Sequence, residues 1–242
     1  MIDNKHLVVN RIVHLLKLIN KRDGFTIVEI LVALMLMSVI FALVIGVSFD
    51  SRKDLQESVN SIERAVRFTT DESSLKNVIG RIHFILDKTP QEYYVEMGPD
   101  DSFVLPANDE EIADQTIMSL EEKKKYEKSI DDVNKKFSKI KEFEEENKAL
   151  PEEIRIIAVG TTINKKLQST FQSSIYFYPT GEKDGALIIL GSSDEVATIE
   201  IAPFVTEIRS TYKLIDKEDQ KVTLEEKQMK IAEEIFKEWK TD

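Results

Sequence analysis

The sequence predicts an α+β fold: a long amino-terminal helix packed on an antiparallel sheet domain, with a helical insertion and a carboxy-terminal helix. Three observations carry this expectation. Residues 30–47 hold no charge and a single hydroxyl, Ser38. Beyond them Leu55, Val59, Ile62 and Val66 recur at i, i+4, i+7 and i+11 among polar residues, which is one face of a helix that needs a sheet to lie on. From Arg81 onward the apolar period changes to two, the period of a strand.

The uncharged run is long enough to cross a bilayer as one helix, because about 20 residues rising about 1.5 Å each match a hydrocarbon core of about 30 Å. No proline stands between Phe25 and Lys88, so the helix can continue past it, with Gly46 as a soft point. One acid, Glu29, interrupts its start. A carboxylate there is costly unless it is shallow or paired, which makes Glu29 a candidate functional residue. The bland alternative is a Glu that snorkels to the headgroups at a helix start, where the dipole favours it.

Gly24, Phe25, Thr26 and Glu29, followed by Ile-Leu-Val-Ala-Leu and preceded by Lys21 and Arg22, resemble the processing motif of type IV prepilins and pseudopilins. The resemblance implies that a membrane-embedded prepilin peptidase cuts between Gly24 and Phe25 and methylates the new amino terminus of Phe25. It also implies that Glu29 meets the charged amino terminus of a neighbouring subunit in a fibre. That role is physically reasonable, since a buried carboxylate is tolerable only with an opposite charge in reach. Major pilins commonly carry a proline in the middle of this helix, and this sequence has none there.

Residues 1–24 then form a leader whose Lys5, Arg11, Lys17, Lys21 and Arg22 keep it cytoplasmic, with the rest of the chain outside the inner membrane. Leu7, Ile12, Leu15, Leu16 and Ile19 give it an amphipathic pattern, so either it rests on the membrane before removal or translation begins further in. An ordinary secretory signal would need a small-residue cleavage site near 46–51, where none is evident; a permanent signal anchor remains as an alternative.

The 242 residues contain no Cys, so disulfides, thiolate metal sites and thiol nucleophiles are excluded. Removing the leader leaves 28 basic and 42 acidic residues, a net charge of −14. So acidic a chain argues against nucleic acid as a partner, which requires clustered positive charge. Outside the leader His83 is the sole histidine, which rules out a histidine metal cluster; a surface or partly buried strand histidine is its expected status. No Gly-rich phosphate loop, serine elbow or metal motif occurs, no spacing singles out a carboxylate pair, and no cofactor is expected.

Ile82, Phe84 and Leu86 on one run and Tyr93, Val95 and Met97 on the next flank Asp-Lys-Thr-Pro-Gln, which predicts a hairpin. The Lys- and Glu-rich stretch between Pro106 and Pro151 carries a capping box at Ser119 and Glu122, then Tyr126, Ile130, Val133, Phe137 and Ile140 at helical spacing, predicting one helix over 119–147. Strands are expected again at 154–159, 175–178, 186–190, 197–202 and 205–212. In the tail Thr223 and Glu226 make a second capping box, and Ile231, Ile235 and Trp239 form an apolar face that should dock on the domain. The expected divisions are 1–24 leader, 25–70 membrane-spanning and extended helix, 71–212 pilin-like β domain with an insertion about 107–149, and 213–242 a partly helical extension.

The second half carries a further resemblance. Residues 150–159, Ile-Tyr-Phe-Tyr-Pro-Thr-Gly at 175–181, the apolar run 186–190 and Thr-Ile-Glu-Ile-Ala-Pro-Phe-Val-Thr-Glu-Ile at 198–208 are similar to the carboxy-terminal signature of the GspH/FimT group of minor pseudopilins. Thr180 stands in place of that group's usual acid, and Thr206, Glu207 and Ile208 in place of its closing Gly-Arg-Val. The implied function is a non-enzymatic minor pseudopilin of a type II secretion system. Its implied partners are the major and other minor pseudopilins, prepilin peptidase, the inner-membrane secretion platform and membrane lipid. The implied location is single-pass in the inner membrane with the carboxy-terminal domain in the periplasm. The alternative with the same front end is a minor pilin of a type IV pilus or DNA-uptake fibre; a membrane-tethered enzyme or sensing module is the competing class.

Overall fold

The structure, a computed structural model, describes residues 26–100, 119–141, 149–163, 166–216 and 222–241. Side chains at 42–50 and at several positions in 120–127, Glu122 and Tyr126 among them, lie outside that description, as do the leader and the Gly24–Phe25 junction. The chain divides into two compact units, Met1–Val47 and Ser48–Asp242. Helix α1 (Ile27–Lys76) contributes to both and runs unbroken through Gly46, as the absence of proline allows. It stops at Asn77, whose φ of 54° is the left-handed conformation that ends many helices and that Asn tolerates.

Within Ser48–Asp242, strands β1 (Val78–Ile85), β2 (Glu92–Asp100), β3 (Ser138–Lys139) and β5 (Gln172–Phe177) form one sheet in the order β3-β2-β1-β5. Strands β4 (Arg155–Thr161), β6 (Ala186–Gly191), β7 (Glu195–Ile201) and β8 (Ile208–Leu214) form a second, β4-β6-β7-β8. Every pairing is antiparallel. The expected α+β arrangement is therefore present, with the strands split between two sheets. Leu55, Val59, Ile62 and Val66 from α1 share one core with Ile82 and Phe84 of β1, Tyr93 and Val95 of β2, and Ile188 and Ile199 of the second sheet. Burying a side chain of this size contributes roughly 1.5–3 kcal/mol, so this one stripe organises both sheets.

The two sheets are tied at the β1–β2 hairpin. The Gln91 side chain accepts from the Ile156 amide (2.5 Å) and donates to the Leu86 and Ile156 carbonyls (2.9 and 3.2 Å). A buried amide side chain that meets three backbone groups replaces a strand partner for β4.

A second core lies on the other face of β4-β6-β7-β8. Helix α3 (Leu224–Thr241) covers it, packing Ala232 and Phe236, with Ile231, Ile235 and Trp239 at its margin, on Ile157, Leu187, Ile189 and Val196. Gly160 makes room for Phe236: a Cβ there would sit 2.5 Å from its ring. The capping box at its start is formed, with Thr223 N donating to Glu226 Oε2 (3.0 Å) and Glu226 N to Thr223 Oγ1 (3.2 Å). Trp239 docks on its own domain, as its spacing suggested.

The insertion departs from expectation. Helix α2 (Leu120–Asn134) ends before Phe137 and Ile140, which are buried beside β2 instead of continuing a helical face. Ile140 N donates to the Val95 carbonyl, and the Phe137 ring lies 4.2 Å from the Arg81 guanidinium, above Gly98, where a Cβ would come within 2.3 Å of that ring. The sheet's polar face thus outcompetes helix propensity.

Candidate functional site

The candidate site is the head of α1. Thr26 caps the helix: its hydroxyl accepts from the Glu29 amide at 3.2 Å, and its carbonyl accepts from the Ile30 amide at 3.2 Å. Glu29 therefore sits in the first turn, where the helix dipole favours negative charge. Its side chain is exposed, and among the described residues its carboxylate has no hydrogen-bond or ion-pair partner. Thr26-Ile-Val-Glu29 has the spacing of a capping box, and that signal identifies Thr26 as a positioning residue; reading the four residues only as a processing motif overlooked it.

Every large apolar side chain in 27–41 is exposed, from Ile27 at 79% to Phe41 at 59%. A helix apolar on all sides is stable only inside lipid or among other helices. Ser38, the hydroxyl in this stretch, donates to the Met35 carbonyl of its own helix at 2.8 Å. Among the described residues no helix is long and apolar enough to cross a membrane. The uncharged sequence continues to Val47, past the last described side chain of this half. Gly24 and Phe25, the expected cleavage pair, lie outside the described residues.

His83 is more deeply buried than expected of a strand histidine. Its Nδ1 lies 2.8 Å from Ser174 Oγ, and burial, with the Arg81 charge nearby, pushes its pKa from 6.5 down to about 3. It is neutral at physiological pH. Arg81, on the same face, is 2% exposed and pairs with Glu96 at 2.6 Å. Arg81 pairs with Glu96 and His83 with Ser174, and Arg81, Glu96 and His83 are buried. Among the described residues no group of three or more His, Asp or Glu side chains could hold a metal ion.

With that geometry in place, comparison with known proteins separates the two units. Residues 19–45 match the model of the prokaryotic N-terminal methylation motif, which takes in Thr26, Glu29 and the exposed apolar helix together with the Gly24–Phe25 junction. This is the signal of a type IV pilin-like protein. No curated protein and no solved structure matches the chain. The motif supports a type IV pilin-like subunit of a pilus or pseudopilus, and it is consistent with processing by prepilin peptidase and assembly with other pilins.

Proposed function

We propose that the chain is a minor pseudopilin of a type II secretion system, a structural subunit of the fibre that supports protein export across the outer membrane. The observation that carries this reading is Glu29: an exposed carboxylate without a partner in the described chain, in the first turn of a helix whose large apolar side chains in 27–41 are all exposed. In a fibre it gains a partner. Prepilin peptidase cuts between Gly24 and Phe25 and methylates Phe25, and the Phe25 ammonium of one subunit then neutralises Glu29 of the next while apolar helices pack together. The leader is 1–24; the helix holds the subunit, single-pass, in the inner membrane until assembly, with Ser48–Asp242 in the periplasm. The similarity of 150–208 to the GspH/FimT signature favours export, and the charge of −14 after processing disfavours DNA as a ligand.

The same front end serves a minor pilin of a type IV pilus or DNA-uptake fibre, so the decisive experiment separates these outputs. A Glu29→Gln strain should secrete poorly and retain normal surface pili and transformation. Normal secretion with lost pili or DNA uptake would replace the pseudopilin reading by the pilin one; unchanged secretion, pili and transformation would remove the fibre role.

A further inference from the structure

Among the described residues of Ser48–Asp242, three of the four sheet edges are covered, along their length or at one end, by their own chain. β5 is covered at its carboxy-terminal end by the turn that follows it: Tyr176 N donates to Asp184 Oδ2 (3.0 Å), Asp184 N to the Tyr176 carbonyl (2.8 Å) and Tyr178 N to the Glu182 carbonyl (2.8 Å). β2 is covered by the two-residue β3, by Ile140 and by Leu150, whose amide donates to the Gln91 carbonyl at 2.9 Å. β4 is sealed by Gln91 and by Gln168, which exchanges both backbone bonds with Val159 (2.8 and 2.9 Å). β8 is the exception. Its seven residues pair with β7 on one side, and among the described residues no strand or segment pairs with the other.

This open edge is also chemically distinct. β8 carries Arg209 and Lys213 and no acid, in a chain whose formal charge is −11. On its core-facing side Ser210 donates to Glu63 of α1, while Tyr212 (41% exposed) and Leu214 (72%) overhang the cover that α1 provides. The loop leading into it presents Phe204 (79%) and Val205 (50%), held in place where Lys183 donates to the Val205 carbonyl at 2.8 Å. Exposed edges are normally blunted by lysine or covered, because a row of unpaired backbone groups recruits other strands. Charges alone would serve that purpose. They do not account for a bare tyrosine and leucine at alternate positions of the same strand.

The geometry points to β8 as a docking edge for an extended segment of another polypeptide, one that adds a strand to β4-β6-β7-β8 with acidic residues opposite Arg209 and Lys213 and apolar residues opposite Tyr212 and Leu214. Main-chain hydrogen bonds supply the affinity of such an addition and the alternate side chains its selectivity. A second copy of β8 is a poor occupant: antiparallel self-pairing centred on Thr211 sets Arg209 against Lys213 twice. The Arg209–Glu207 and Lys213–Glu234 contacts, at 4.0 and 3.7 Å between exposed groups, are weak enough to be exchanged for a partner's carboxylates. Edge and strand order belong to Ser48–Asp242, so the inference stands apart from the fibre assignment.

The test uses the full chain in detergent at about 0.15 M salt, with two labelled nine-residue peptides, one alternating Glu and Val and one alternating Lys and Val. The Glu-Val peptide should bind about tenfold more tightly, and its binding should slow amide hydrogen exchange in 208–214. The double variant Arg209→Glu, Lys213→Glu, at exposed positions, should reverse the preference while leaving thermal unfolding unchanged. Equal affinity for both peptides, no binding of either, or protection confined to other strands would overturn the docking edge and leave Arg209 and Lys213 as shielding charges.

Discussion

The two described portions of α1 carry apolar residues in opposite ways. In 51–76 they form a stripe: Leu55, Val59, Ile62 and Val66 are buried against both sheets, while Lys53, Glu57 and Arg67 face water. In 27–41 they surround the helix, and all the large ones are exposed. A stripe is satisfied by its own domain, whereas an apolar cylinder requires lipid or other helices. The polar groups follow the same division. Ser61 bonds Tyr93 of the sheet at 2.6 Å, but Ser38 turns back on its own helix and the Glu29 carboxylate has no partner among the described residues. One helix thus carries, in successive stretches, an apolar face that its own domain buries and an apolar surface that it leaves exposed.

That contrast can be broken most severely in the buried portion. Phe84→Ala, which empties a fully buried site under the α1 stripe, should cost about 3–5 kcal/mol in denaturant unfolding of the domain. Leu34→Ala, at a side chain 60% exposed, should leave that unfolding within about 0.5 kcal/mol and show itself only in fibre recovery. Equal losses of stability from the two would erase the distinction. Gln91→Leu should come next, at about 1–3 kcal/mol, because the Ile156 amide and two carbonyls lose their partner in the interior.

His83 sharpens the comparison through pH. Its folded-state pKa of about 3 lies below the unfolded value of 6.5, so the unfolded chain binds the proton first. Stability is therefore undiminished above pH 6.5 and falls on acidification, by up to about 1.4 kcal/mol per pH unit, until about pH 3. His83→Gln should flatten that limb in urea titrations at pH 6.5, 5 and 4; an unchanged slope would show that the imidazole is not held neutral. The smallest effect is expected at Thr26→Ala. Loss of the cap, about 1 kcal/mol, should speed amide exchange at Glu29 about fivefold and leave the domain's unfolding untouched.

Local signals were legible in the sequence, and distant partnerships were not. The front end was readable because Gly24, Phe25, Thr26 and Glu29 are neighbours, and the α1 stripe and the Thr223–Glu226 cap because helical spacing is local. The split into two sheets was hidden: β6 is buried along its whole length, so its apolar run does not say which face meets which layer. Gln91 reaches Ile156 across 65 residues, and Arg81 reaches Glu96 on another strand, pairings that no spacing rule anticipates. The end of α2 at Asn134 was missed for the same reason. Phe137 leaves the helical pattern for Arg81 and for the space above Gly98, and neither lies near it in sequence.

The most direct test of an assembly helix headed by Glu29 is mass spectrometry of the chain recovered from cell envelopes that contain a prepilin peptidase. The account predicts a mature protein that begins at N-methylated Phe25, lacks residues 1–24, and is replaced by the uncut chain when Gly24 is changed to Ala. Envelope protein that still carries Met1, or a terminus elsewhere than Phe25, would contradict it.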